Sequence, residues 1–239
     1  MRALIAQTRM ELVMSLRQYE SLFVTIFIPS SLLIFLTKVE LYGLHQDRLS
    51  YVFPGVLSIA LRAVSMVSLG IATGFERRYG VLKRLAMTPL SKPALVASKM
   101  AAVSLILVLQ VTVLTAAATA LSWRPTGVSL LPLILGLVLG TSAFAGLGLA
   151  LAGSLKAELN LALLNGLFVV MLMTGGAIFP LERLPFMIEA VVRFLPLHLV
   201  TEMLRAGLSG GEFPGGILVV LLVWAIVMPI LAAKTFSWE

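Results

Sequence analysis

Cysteine is absent from the chain, so neither a disulfide nor a thiolate metal site can support its fold or its chemistry. Histidine is almost absent: His45 and His198 stand alone, without companions at metal-binding spacing, and a zinc site is not expected. Charge is scarce as well, with Asp, Glu, Lys and Arg making up 12% of residues, about half the share in a soluble domain. No G-x-x-x-x-G-K-[ST] phosphate loop occurs, so nothing in the sequence can cradle the phosphates of a nucleotide. No Ser, His and Asp stand where helix packing would assemble a nucleophilic triad. An enzyme would therefore have no catalytic group to be built around, and no metal or cofactor is expected to bind this chain.

Hydrocarbon takes the place of all this. Of 239 residues 59% are hydrophobic, and the mean hydropathy is +1.04. The apolar residues come in runs of about twenty, the length a helix needs to cross roughly 30 Å of hydrocarbon at about 1.5 Å per residue. Six spans are expected, over about 21–42, 52–75, 97–122, 129–153, 159–179 and 213–233, in one all-α transmembrane domain covering 1–239. Ahead of them Leu4, Ile5, Thr8, Leu12 and Leu16 share a helical arc opposite most of the charges, which predicts an N-terminal helix lying in the membrane interface. Charges interrupt this segment and no small-residue cleavage site follows it, so it is expected to persist rather than be removed as a signal peptide.

The net charge of +7 has a topological cause and does not point to nucleic acid, because there is no soluble domain to present a basic face. Lys and Arg concentrate in the first seventeen residues, in the stretch 76–99, and at Lys156 and Lys234. The opposite side carries the sparser set Lys38, Arg48, Arg124, Arg183, Arg193 and Arg205, with Trp123 and Arg124 marking the interfacial end of the third span. The positive-inside rule then places both termini in the cytoplasm.

One loop is richer than the rest: Phe75-Glu76-Arg77-Arg78-Tyr79-Gly80-Val81-Leu82-Lys83-Arg84-Leu85-Ala86-Met87-Thr88-Pro89-Leu90-Ser91-Lys92-Pro93. Val81, Leu82, Leu85 and Ala86 recur at helical spacing, Lys83 and Arg84 face away, and Pro89 ends the turn. A short amphipathic helix on the cytoplasmic membrane surface is expected, suited either to anchoring the loop or to docking into a groove on a partner. The stretch resembles the E-R-x-x-G-x-L-x-R-L-x-x-T-P-[LV]-S signature of the type-2 permeases of ATP-binding-cassette exporters, particularly the daunorubicin-resistance-like branch. Glu76, Arg77, Gly80, Leu82, Arg84, Leu85, Thr88, Pro89 and Ser91 all match it. The resemblance implies that this loop, Arg78 included, couples the spans to a nucleotide-binding ATPase subunit.

A second similarity lies before the last span. Gly175-Gly176-Ala177-Ile178-Phe179-Pro180-Leu181-Glu182-Arg183-Leu184-Pro185, then Leu195-Pro196-Leu197, is similar to the family's G-x-x-F-P-x-x-x-L-P and N-P-L elements, with Leu195 where Asn is usual. Independently, Leu184, Ile188, Val191, Val192 and Leu195 form a stripe bounded by Pro185 and Pro196, too short to cross a bilayer. Short helices before the last span, dipping into the outer leaflet or packed on the outer ends of the spans, are expected. The whole resemblance implies a homodimer, or a dimer with a related permease, in the plasma membrane of a bacterium or archaeon. ATP and magnesium would sit on the separate ATPase. The substrate would be an exported amphiphile: a drug, an antibiotic or a lipid. A lipid-linked glycan exporter is the alternative within transport, and a scaffold or sensor that recruits a soluble partner is the alternative outside it.

Arg62 is the one charge deep in a span, and such a residue faces a bundle interior or a wet cavity. It is expected either to line or gate the substrate path, or to hydrogen-bond carbonyls or neighbours such as Ser65 and Ser68. No intramembrane Asp or Glu accompanies it to carry a coupling proton, which argues against a secondary transporter. Gly70 with Gly74, and Gly136 with Gly140, supply small faces for close helix packing.

Overall fold

A computed structural model describes residues 2–39, 48–125, 127–174 and 185–236, and all regular structure among them is helical. Helix α1 (Arg2–Arg17) leads into α2 (Tyr19–Lys38). Next, α3 (Arg48–Arg62) continues through a π-helical stretch, Ala63–Ser68, into α4 (Leu69–Arg78), making one rod of 31 residues. The short α5 (Val81–Ala86) precedes α6 (Lys92–Ala120), α7 (Leu130–Ser154) and α8 (Ala157–Thr174). The chain closes with α9 (Phe186–Val192), α10 (Pro196–Ser209) and α11 (Gly215–Thr235).

Four helices are long and apolar enough to cross a membrane: Arg48–Arg78, Lys92–Ala120, Leu130–Ser154 and Gly215–Thr235. Phe23–Lys38 and Ala157–Met173, in the places expected for the first and fifth spans, are shorter apolar helices. The expected outer ends of those two spans, 40–42 and 175–179, lie outside the described residues. The chain is thus a multi-pass membrane protein. Helix α6 begins earlier than hydropathy indicates because Ser91 caps it, its side chain accepting a hydrogen bond from the Ala94 N–H at 3.4 Å, with Pro93 in the first turn.

Lipid is as apolar as a leucine side chain, so these helices gain little from hydrophobic burial against one another and are held by close packing and interhelical hydrogen bonds. The glycines of α7 provide the close packing. A Cβ on Gly146 would stand 2.5 Å from the Pro229 nitrogen of α11, and one on Gly148 would stand 2.5 Å from the Met66 carbonyl oxygen in the π-helical stretch. Gly136 and Gly140 receive Met203 and Val200 of α10, the use anticipated for that face. Polar links add to it: Ser142 Oγ donates to the Ala225 carbonyl and Thr201 Oγ1 donates to Ser58 Oγ, at 2.7 and 2.8 Å. The rod sits deepest, with 72% of its apolar window buried against 17% for α11, so whatever the rod carries is shielded by the other helices.

Three expectations are corrected. The buried face of α1 is formed by Gln7 and Glu11, with Leu4, Thr8, Leu12 and Ser15 half-buried beside them, whereas Ile5 and Leu16 point outward. Helix α9 has only seven residues; Val192 is buried, but Ile188 and Val191 are exposed, so the proline-bounded stripe is not a single packed face. Trp123 is buried, its ring 4.8 Å from that of Phe53, rather than presented at the interface. The long connection before the last span also contains α10, an amphipathic helix that Pro196 starts and Gly210, in the left-handed region at φ +66°, ends.

Candidate functional site

The loop that follows the rod is built by a sharp reversal. Helix α4 ends at Arg78, Gly80 adopts φ +72°, and α5 starts at the next residue. That left-handed conformation costs an L-residue about 1–2 kcal/mol, which is why glycine stands there. Leu82 is fully buried and joins Leu90, Leu95 and Phe236 in a small core beneath the loop, with Leu85 packed against it. Thr88 closes the far end, its hydroxyl donating to the Leu85 carbonyl at 2.6 Å just before Pro89. Lys83, Arg84, Met87, Thr88 and Pro89 remain exposed, and so does Ala86, which the spacing had put with the apolar stripe.

Three clamps tie the loop's first residues to the bundle. The Arg77 guanidinium donates to the Ala152 carbonyl at the end of α7, at 3.0 Å, and Arg78 pairs with Glu158 at the start of α8. The third is a charge triad that sequence reasoning did not assemble. Lys99 Nζ of α6 lies 2.7 Å from Glu76 Oε2 of α4 and 2.9 Å from Glu11 Oε2 of α1, while Glu11 Oε1 accepts from Gln7 Nε2 at 2.8 Å. The Lys99 side chain is 1% exposed, so α1 is drawn in through its carboxylate to help neutralise it. The signal lay in the i,i+4 spacing of Gln7 and Glu11 on an otherwise amphipathic helix. A cleft of about 60 Å³ beside the triad is lined by Glu11, Ser15, Gln18, Ser68, Glu76 and Lys99, among others.

The loop residues singled out from the sequence therefore divide. Glu76, Arg77 and Leu82 face inward, as anchors; Arg78, Arg84, Thr88 and Pro89 face outward, where a partner can reach them. Of the outer segment, Gly175, Gly176, Phe179, Pro180 and Leu184 lie outside the described residues. Pro185 and Pro196 stand at the starts of α9 and α10, and the outer end is tied to α11 by Trp224 Nε1 donating to the Phe194 carbonyl at 2.9 Å.

Arg62 stands apart from the loop, where α3 gives way to the π-helical stretch, a distortion frequent at functional positions. It is fully buried, and its guanidinium lies 4.3 Å from the centroid of the Phe168 ring of α8. Its Nε, Nη1 and Nη2 make no hydrogen bond among the described residues. The expected structural bond is not formed there: Ser65 Oγ donates to the Leu61 carbonyl at 2.6 Å instead. Helix α8 is held close by Asn160, whose Nδ2 donates to the Gly70 carbonyl at 2.9 Å, and a Cβ on Gly74 would come 2.6 Å from that same nitrogen. Phe168 carries no sequence mark that would have paired it with Arg62.

Compared with models of known families, residues 2–209 match the one described as ABC-2 type transporter. A comparison with curated proteins finds no match.

Proposed function

The chain belongs to the ABC-2 type transporter family, and from that premise we propose that it is the permease of an exporter in the daunorubicin-resistance-like branch, moving an amphipathic drug, antibiotic or lipid out across the plasma membrane. The permease has six spans and cytoplasmic termini, and works as a homodimer or paired with a related permease. A separate ATPase subunit binds ATP and magnesium and supplies the driving force. The observation that carries this reading is the division within the loop. Lys83 and Arg84 on a short helix, and Met87, Thr88 and Pro89 in the turn after it, are displayed outward, while Glu76, Arg77 and Arg78 tie that helix to α1, α6, α7 and α8. A push delivered to the exposed residues would be passed to four helices at once, as a coupling element requires.

The substrate path runs beside the rod, where Arg62 and Phe168 meet. Co-expression with a candidate ATPase, followed by ATP hydrolysis measured in liposomes, tests the proposal. Hydrolysis that amphiphiles stimulate in the wild-type complex, and that Arg84→Glu uncouples, is the expected result. A permease that neither retains an ATPase through purification nor alters its turnover would contradict it.

A further inference from the structure

A guanidinium in the middle of a membrane needs a counter-charge, and among the described residues Arg62 has no hydrogen-bonding partner. Arg62 lies 14 residues from Arg48 and 16 from Arg78, so it sits about 21–24 Å from either end of the rod. No Asp or Glu occurs in 97–122, 129–153, 159–179 or 213–233. Within the rod the only carboxylate is Glu76, about 21 Å along the axis and already bound to Lys99. Glu158 is held by Arg78, and Glu202 by Arg205 at 2.7 Å. Among the described residues the guanidinium is set against the face of Phe168, which attracts a cation but supplies no acceptor for its five N–H donors.

We infer that Arg62 is the binding point for an oxyanion on the exported amphiphile, a carboxylate or a phosphate, and that the Phe168 ring covers it until substrate arrives. This rests on the permease reading above and narrows its substrate class to amphiphiles with a negative head. The planar guanidinium fork matches both oxyanions bidentately, and a dry apolar surround strengthens each bond. The cover is carried on a helix that can move. Beyond Asn160, α8 leaves Leu161, Asn165, Gly166 and Val169 exposed, so among the described residues no other helix covers its side away from the rod. Phe168 lies eight residues, about 12 Å, beyond the Asn160–Gly70 hydrogen bond, and the Arg78–Glu158 pair joins the start of α8 to the cytoplasmic loop. A tilt of α8 about Asn160, set off at the loop, lifts the ring from the guanidinium and trades a cation–π contact for charge-assisted hydrogen bonds.

Four twelve-carbon probes that differ only in the head, dodecyl phosphate, dodecanoate, dodecanol and dodecylamine, test this by direct binding to the purified full chain in phosphatidylcholine nanodiscs at pH 8. Both oxyanions are expected to bind about tenfold or more tightly than dodecanol, the worth of one or more charge-assisted hydrogen bonds, and dodecylamine no better than dodecanol. Arg62→Gln levels the series, Arg62→Lys keeps a reduced preference, and Phe168→Ala tightens the oxyanions without changing dodecanol. The stronger of the two oxyanions identifies the head the site takes. Wild-type protein that binds dodecanol as well as the oxyanions, or a preference that survives in Arg62→Gln, overturns the inference. Should Arg62→Gln fail to fold, the wild-type series and Arg62→Lys still decide it. Because no ATPase is present, failure here leaves the permease reading intact, and failure of ATPase association leaves this result standing.

Discussion

Two buried cations, Lys99 and Arg62, lie on the same face of the problem and are treated in opposite ways. Lys99 stands near the N-terminal end of α6 with two carboxylates within 3 Å, each from a different helix. Arg62 stands mid-rod with an aromatic ring and no acceptor among the described residues. A buried charge whose partners are supplied by the chain is a structural joint, here one that pins α1 to the loop that begins at the end of α4. A buried charge left without a partner keeps its binding capacity for something that arrives later. The pair separates what holds this protein together from what it is built to contact.

The contrast is broken most forcefully at the joint. Lys99→Met leaves Glu11 and Glu76 facing each other without their cation, and loss of one member of a buried ion pair costs about 3–5 kcal/mol. A steep fall in the unfolding midpoint of the detergent-solubilised protein is expected, with recovery when Glu11→Gln and Glu76→Gln are added. Arg62→Met should act with the opposite sign, since exchanging an unpartnered buried charge for an apolar side chain of similar length is neutral or stabilising by about 1–4 kcal/mol. The same midpoint should rise while export falls; a drop like that of Lys99→Met would mean that Arg62 is structurally paired.

Smaller changes sharpen the division within the loop. Gly80→Ala forces an L-residue to φ +72° and should cost about 1–2 kcal/mol, read as a modest shift in the midpoint together with weakened ATPase coupling. Arg78→Ala removes an ion pair whose side chains are 50% and 64% exposed, so its effect on stability should stay below about 1 kcal/mol. Slower ATP-driven transport at unchanged stability would then mark this pair as the link from the loop to α8.

Much of the architecture was legible because membrane spans announce themselves by length and the loop helix by its period. Leu82 and Leu85 fell inward as the spacing predicts, while Ala86 did not, being small enough to face either way at little cost. Apart from its spacing from Gln7, nothing along α1 marks Glu11 for burial, because an interfacial helix normally turns its carboxylates to water. Only the position of Lys99, 88 residues away, reverses that. The extent and burial of α10 stayed hidden because Thr201, Glu202 and Arg205 break its hydropathy, although Thr201 is satisfied inside the bundle by Ser58 and Glu202 by Arg205. Arg62 was visible as an anomaly, but nothing distinguishes Phe168 from the other eleven phenylalanines until the helices are packed.

The natural absence of cysteine gives the central claim its most direct test, since any cysteine introduced is the only thiol in the chain. Met87→Cys, on the exposed tip of the loop, should form a cross-link to the ATPase subunit in membranes, with a yield that changes when nucleotide is added. Phe186→Cys, equally exposed but on the proposed outer side, should not. Cross-linking from Met87→Cys alone is the predicted result; no cross-link from the loop, or equal yields from both positions, would contradict an ATPase-driven permease coupled through this segment.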